Sequence, residues 1–299
     1  ALARIDEMEG NAELTLEHLK QAVELGDRQI DVVRRVAQLL DEKGRAKEAD
    51  DILRRLEAQA PISNDLQRLA AEVALRLDVD RALALAQKAV GENAKDYKER
   101  VWLGRILSAS GKAAEADAEF EKAAAAAGNR PEVWVAFVQH TVRRRAAEPA
   151  VADALLKRAD AGLAGKEPLA LAQCYDIAGK RDEAERRYLA ATKANPGDAR
   201  AVRAAATFYQ QSGAPDKAEP FLRQLMSAEL KTGPEEVAWA RRNLALALGV
   251  KAEGANFEEA IRLLDANAAG GRQVDDLRTR ALVTSTRPGR RQEVIALLE

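Results

Sequence analysis

GKEPLALAQCYDIAGKRDEAERRYLAATKANPGD, residues 165–198, is the stretch on which the fold turns. Lys166 to Ile177 reads as one helix, Gly179 as a turn, Arg181 to Ala194 as a second helix, and Pro196 as its stop. Ala172 and Ala184 stand twelve residues apart on either side of the glycine. A short turn between antiparallel helices lets them approach closely only where a side chain is Gly or Ala. Tyr188, four residues beyond Ala184, is large enough to fill space towards a neighbour.

The same plan recurs along the chain. Thr15, Ala49, Ala82, Ala116, Ala152, Ala184, Ala218, Ala260 and Val294 follow one another at gaps of 34, 33, 34, 36, 32, 34, 42 and 34 residues. Twelve residues before most of them sits another small residue: Ala3, Ala37, Ala70, Gly104, Ala172 and Ala206. Ala245 and Ala281 take that place in units with insertions, and Val138 is the exception. Four residues after come Leu19, Leu53, Ala86, Phe120, Leu156, Tyr188, Leu222, Leu264 and Leu298. A turn glycine recurs at Gly10, Gly44, Gly111, Gly179, Gly213 and Gly289. Four series in one register make a repeat of about 34 residues, and a hairpin this small must stack on others to bury its apolar face.

Composition agrees. Of 299 residues, 47% are hydrophobic but only 4% aromatic, as suits closely packed Ala- and Leu-rich helices. The 47 Lys and Arg balance 48 Asp and Glu, a net charge of −1, which argues against a nucleic-acid binder or a polybasic membrane surface. A lone Cys174 allows no internal disulfide or Cys-based zinc site. With only His18 and His140, a histidine triad or multi-histidine metal centre looks starved. No apolar run approaches the roughly 18 residues of a membrane span, and Ala1 to Gly10 is acidic without a signal-like apolar core. No cofactor, metal or catalytic function is expected, nor direct membrane insertion.

These residues resemble the tetratricopeptide repeat (TPR) family. Residues 165–198 match its pattern at Leu171, Ala172, Tyr175, Gly179, Ala184, Tyr188, Ala191 and Pro196. The unit from Tyr97 matches at Leu103, Gly104, Leu107, Gly111, Ala116, Phe120 and Ala123. The resemblance implies an all-α, right-handed superhelical solenoid of stacked helix-turn-helix hairpins, here one solenoid over 1–299. Its units are 1–29 (partial), 30–62, 63–96, 97–130, 131–164, 165–198, 199–237, 238–273 and 274–299 (partial). With its partial end units, the chain reads as a segment of a longer repeat protein. Val138 and the irregular turn Arg143 to Pro149 predict a splayed hairpin, and extra residues are expected at Ser227–Pro234 and Lys251–Ala255. Pro220 is expected in the first turn of its helix, where the missing N–H costs nothing.

The resemblance further implies that first helices line a concave groove. Projection gives one row as Arg34, Gln67, Val101, Val135, Leu169, Arg203 and Arg242. The next row is Gln38, Ala71, Arg105, Gln139, Gln173, Thr207 and Leu246. An apolar centre flanked by Arg suits a protein or extended peptide with apolar anchors and acidic groups. The expected function is a non-catalytic interaction scaffold. The alternatives are an accessory region of a larger enzyme or exporter, of glycosyltransferase or polysaccharide-export type, or a self-assembly segment joined through exposed end faces. Other residues read as structural: His140 and Arg143 to Arg145 as a solvated basic face, His18 as surface, Cys174 as a buried thiol. Asp50-Asp51 and Asp275-Asp276 are expected at helix starts, serving free N–H groups. The Ala and Arg bias suggests a bacterial source.

Overall fold

The computed structural model describes residues 2–8, 10–91, 94–144, 149–163, 165–251, 253–268 and 273–298. Among the described residues are eighteen α-helices and no strand. They fall into two compact units, Ala1–Ala164 and Gly165–Glu299.

The first unit pairs α1 (Leu2–Met8) with α2 (Ala12–Glu24), α3 (Ile30–Glu42) with α4 (Ala46–Gln59), and α5 (Asn64–Ala74) with α6 (Val79–Val90). It continues with α7 (Tyr97–Ala109) and α8 (Ala113–Ala127), then α9 (Pro131–Arg144) and α10 (Pro149–Leu163). The second pairs α11 (Pro168–Ile177) with α12 (Arg181–Ala194) and α13 (Ala199–Gln211) with α14 (Pro215–Leu225). It ends with α15 (Pro234–Gly249) on α16 (Gly254–Ala268) and α17 (Val274–Ser285) on α18 (Arg291–Leu298). Within each unit every hairpin packs on the next, as stacked repeats require.

The turns explain the hairpins. In the first-to-second-helix turn of α11–α12, Gly179 has φ +70°, its N–H reaches the carbonyl of Asp176, and that of Lys180 reaches Tyr175. This double closure satisfies carbonyls the helix end leaves open, and the left-handed glycine makes it cheap. Gly44, at φ +69°, closes α3 in the same way onto Asp41 and Leu40. The small positions then set the spacing: Ala70, Ala82, Ala116, Ala172, Ala184, Ala206, Ala218, Ala245 and Ala260 are all fully buried. At Gly104 a Cβ would lie 3.0 Å from the Phe120 ring, so glycine is what admits this aromatic between α7 and α8. Phe120 in turn stacks on Phe137 of the following hairpin, ring centres 5.3 Å apart. Tyr188 meets Phe208 likewise at 5.0 Å. The large residues thus bind one hairpin to the next.

The extra residues expected at Ser227–Pro234 fall in the 226–233 connection, whereas of those expected at Lys251–Ala255, Gly254 and Ala255 open α16 instead of lying in a loop. Most of the Arg143–Pro149 turn lies outside the described residues; α9 and α10 meet along fewer positions than α7 and α8, and so do α3 and α4. Two further local expectations need correction. Pro220 is the sixth residue of α14, inside the helix rather than in its first turn. Asp50 is the fifth residue of α4 and buried; instead of serving N–H groups it pairs with Arg54 at 2.7 Å and with Arg81 of α6.

Side-chain bonds between repeats carry the period of the sequence. Lys20–Glu48, Arg68–Glu99, Arg158–Glu121, Arg203–Glu236, Lys217–Glu185 and Arg223–Glu259 join residues 28 to 37 positions apart. Several are well exposed and individually worth about 0–1 kcal/mol.

Candidate functional site

The face of the first helices that points away from the second helices is where the sequence places a binding surface. In the first unit, Gln38, Arg105 and Gln139 are exposed there, and Arg34 and Val135 are partly exposed. In the second, Arg203 is exposed, and Leu169, Gln173, Thr207, Arg242 and Leu246 are partly so. The projection fails at three places. Val101 is 5% exposed, Gln67 7% and Ala71 0%, so these side chains offer a partner no surface. For Val101 the reason is plain: an aliphatic side chain gains about 1.5–3 kcal/mol by burial, and the stack supplies the room.

The flanking arginines are engaged within the protein. Arg203 donates to Glu236 and lies over the Trp239 ring at 4.3 Å. Arg242 binds Asp276 at 3.1 Å, and Arg34 approaches Glu72 at 3.8 Å. Each of these carboxylates sits on the next first helix, so these cations staple repeats before they meet any partner. Arg105 differs: it is exposed and has no ion-pair partner among the described residues.

A slot opens on this face between α3, α4 and α5. It has a volume of about 250 Å³ and an apolar floor of Ala37, Ala46, Ala49, Leu69 and Val73. Its mouth is crossed by Arg34–Glu72 at one end and by Arg76–Asp41, at 2.7 Å, at the other. Glu72 also accepts from Trp102 Nε1 at 2.9 Å, which fixes that end.

His140 is the clearest miss of the sequence reading. It is 4% exposed rather than solvated. Its Nδ1 lies 2.7 Å from Ser108 Oγ and its Nε2 3.1 Å from Asp117 Oδ1, drawing α7, α8 and α9 together. Burial pushes the imidazole pKa below its ordinary value, against the pull of Asp117, so the ring is neutral near pH 7. A Ser, a His and an Asp thus do meet. The hydroxyl and imidazole are both buried and bonded to each other, and the trio serves as a bolt between two repeats. A signal existed: Ser108 and His140 are 32 residues apart, about one period, but an isolated polar pair carries no weight in a sequence before the period is applied. His18 likewise binds Asp6 of α1 at 2.6 Å. Cys174 is buried, as read. Among the described residues no group of three or more His, Cys, Asp or Glu is placed to hold a metal ion, and no helix is long and apolar enough to cross a membrane.

No family model matches the sequence, and no curated protein matches it. Solved structures do. A tetratricopeptide repeat protein from Parabacteroides merdae aligns with a TM-score of 0.46 at 14% identity, over 94% of this chain and 95% of that one. TTC0263, a thermophilic TPR protein of Thermus thermophilus, aligns at 0.39 and 20% identity over 60% of this chain and 99% of its own. The human IFIT1 dimer with m7Gppp-AAAA aligns at 0.37 and 16% identity, over 99% and 87% of the two chains. The resemblance of this chain to tetratricopeptide repeat proteins is carried by its own stacked helical hairpins and their period of about 34 residues.

Proposed function

We propose that the protein is an interaction scaffold that holds a protein or extended peptide against the exposed face of its first helices. The observation that carries this reading is Arg105: an exposed guanidinium without an ion pair among the described residues, with exposed Gln139 and partly exposed Val135 on the next first helix. An unpaired cation breaks no ion pair when it turns towards a partner's carboxylate, whereas Arg203 and Arg242 would first have to leave Glu236 and Asp276. Affinity on such a face comes from a few anchors on a preformed surface. The test is capture of a partner from the source lysate, followed by titration of that purified partner. Arg105→Glu should weaken binding at least tenfold and leave the melting temperature unchanged. Equal affinity for wild type and variant would remove this face from the account.

A second reading, self-association, is supported by exposed apolar side chains on α1 and α17. Leu2, Ile5 and Met8 of α1 are 62%, 53% and 87% exposed, and Val274 and Leu282 of α17 are 62% and 58% exposed. Light scattering across a dilution series separates it from the first: a monomer at every concentration excludes it.

A further inference from the structure

We propose that the slot between α3, α4 and α5 is a side-chain pocket that takes one aliphatic residue of an extended peptide, an inference that rests on the first-helix face being the binding surface. At about 250 Å³ it falls short of the roughly 300–1,000 Å³ of sites that enclose a whole small molecule, and is of the right order for one branched side chain. The hairpin is more open here than its neighbour: α3 and α4 meet along fewer positions than α7 and α8, and where Phe120 fills the space over Gly104, α4 carries the smaller Leu53.

The rim selects the kind of occupant. Arg34, Gln38 and Asp41 form one stripe of α3, spaced four and three residues apart; Glu72 faces them from α5 and Arg76 from the turn that follows it. In the two bars, Arg34–Glu72 and Asp41–Arg76, each charge already faces an opposite one, so an ion entering between them has to compete with a partner in place. A neutral aliphatic group faces no such competition and gains the apolar floor. Gln38, exposed midway between the bars, presents an amide that both donates and accepts, the complement of a peptide main chain. A neutral aliphatic side chain carried on a peptide backbone satisfies floor, bars and amide together; a free amino acid or fatty acid does not.

The probes are N-acetyl-leucinamide, N-acetyl-alaninamide and free leucine, titrated into the methyl-labelled full chain and followed by NMR. The first should shift the Leu69, Val73, Ala37 and Ala49 methyls and bind at least tenfold more tightly than the other two. Ala46→Leu, at the start of α4, should fill the slot and abolish that preference. Should Ala46→Leu fail to fold, Val73→Ala, which removes part of the floor, should reduce the preference severalfold. Equal shifts from all three probes, shifts elsewhere, or a preference untouched by these substitutions would overturn the proposal. If the pocket is silent while Arg105→Glu still weakens the captured partner, the pocket fails and the wider face stands; silence in both removes both.

Discussion

At the scale of single residues, small side chains hold the helices close within a hairpin, and buried polar ones such as His140 tie one hairpin to the next. Ala172, Ala184 and Gly104 announce themselves by recurring, because only a small side chain fits where two helices touch, and the structure buries the two alanines fully. His140 recurs nowhere, so its burial depends on Ser108 and Asp117, neither of them near it in sequence. That burial makes a pH prediction with a definite sign. The folded imidazole titrates below its unfolded value of about 6.5. Well above that value the ring is neutral in both states and its contribution to stability is complete. As the pH falls below it, the unfolded chain takes up a proton that the folded chain resists, and stability is lost. The wild-type melting temperature should therefore fall more steeply from pH 7 to pH 5 than that of His140→Gln. Parallel curves would show that His140 is not held neutral by the fold.

At the scale of helices, boundaries followed from local punctuation. The sequence places a helix over Arg181–Ala194 and the structure has one there, because Gly179 before it and Pro196 after it act on their own neighbours. What a helix binds is another matter. The expectation that Asp50 serves N–H groups at a helix start looked only to its own helix; its decisive partner, Arg81, is 31 residues away on α6. Asp50 is 4% exposed, and Arg81 binds both it and Glu57. Stripping one partner from a buried ion pair costs about 3–5 kcal/mol. Since Arg54 stays on Asp50, Arg81→Met should cost about 3 kcal/mol, read by urea denaturation. The double variant Asp50→Leu/Arg81→Met should recover most of the loss, because an apolar pair carries no desolvation penalty. A single variant as stable as wild type would show that the pair is idle.

At the scale of the molecule, the period decides which surfaces are covered. Exposure along the first helices follows it at Gln38, Arg105 and Gln139 and departs from it at Val101, Gln67 and Ala71, since register alone does not say how deeply a neighbouring hairpin overlaps a given position. The slot between α3 and α4 was out of reach for the same reason: it reflects how far one hairpin opens, which no repeated residue encodes. The central claim is that each hairpin shelters its apolar surface on its neighbours, so that stability is a sum of local terms and nearest-neighbour contacts. Ala184→Leu tests it most directly. Ala184 is fully buried between α11 and α12, and overpacking there should cost about 1–3 kcal/mol. Native-state hydrogen exchange should then accelerate most in α11 and α12, less in α13 and α14, and least in α17. Uniform acceleration from α11 to α17 would mean one indivisible core, and would contradict the stacking account.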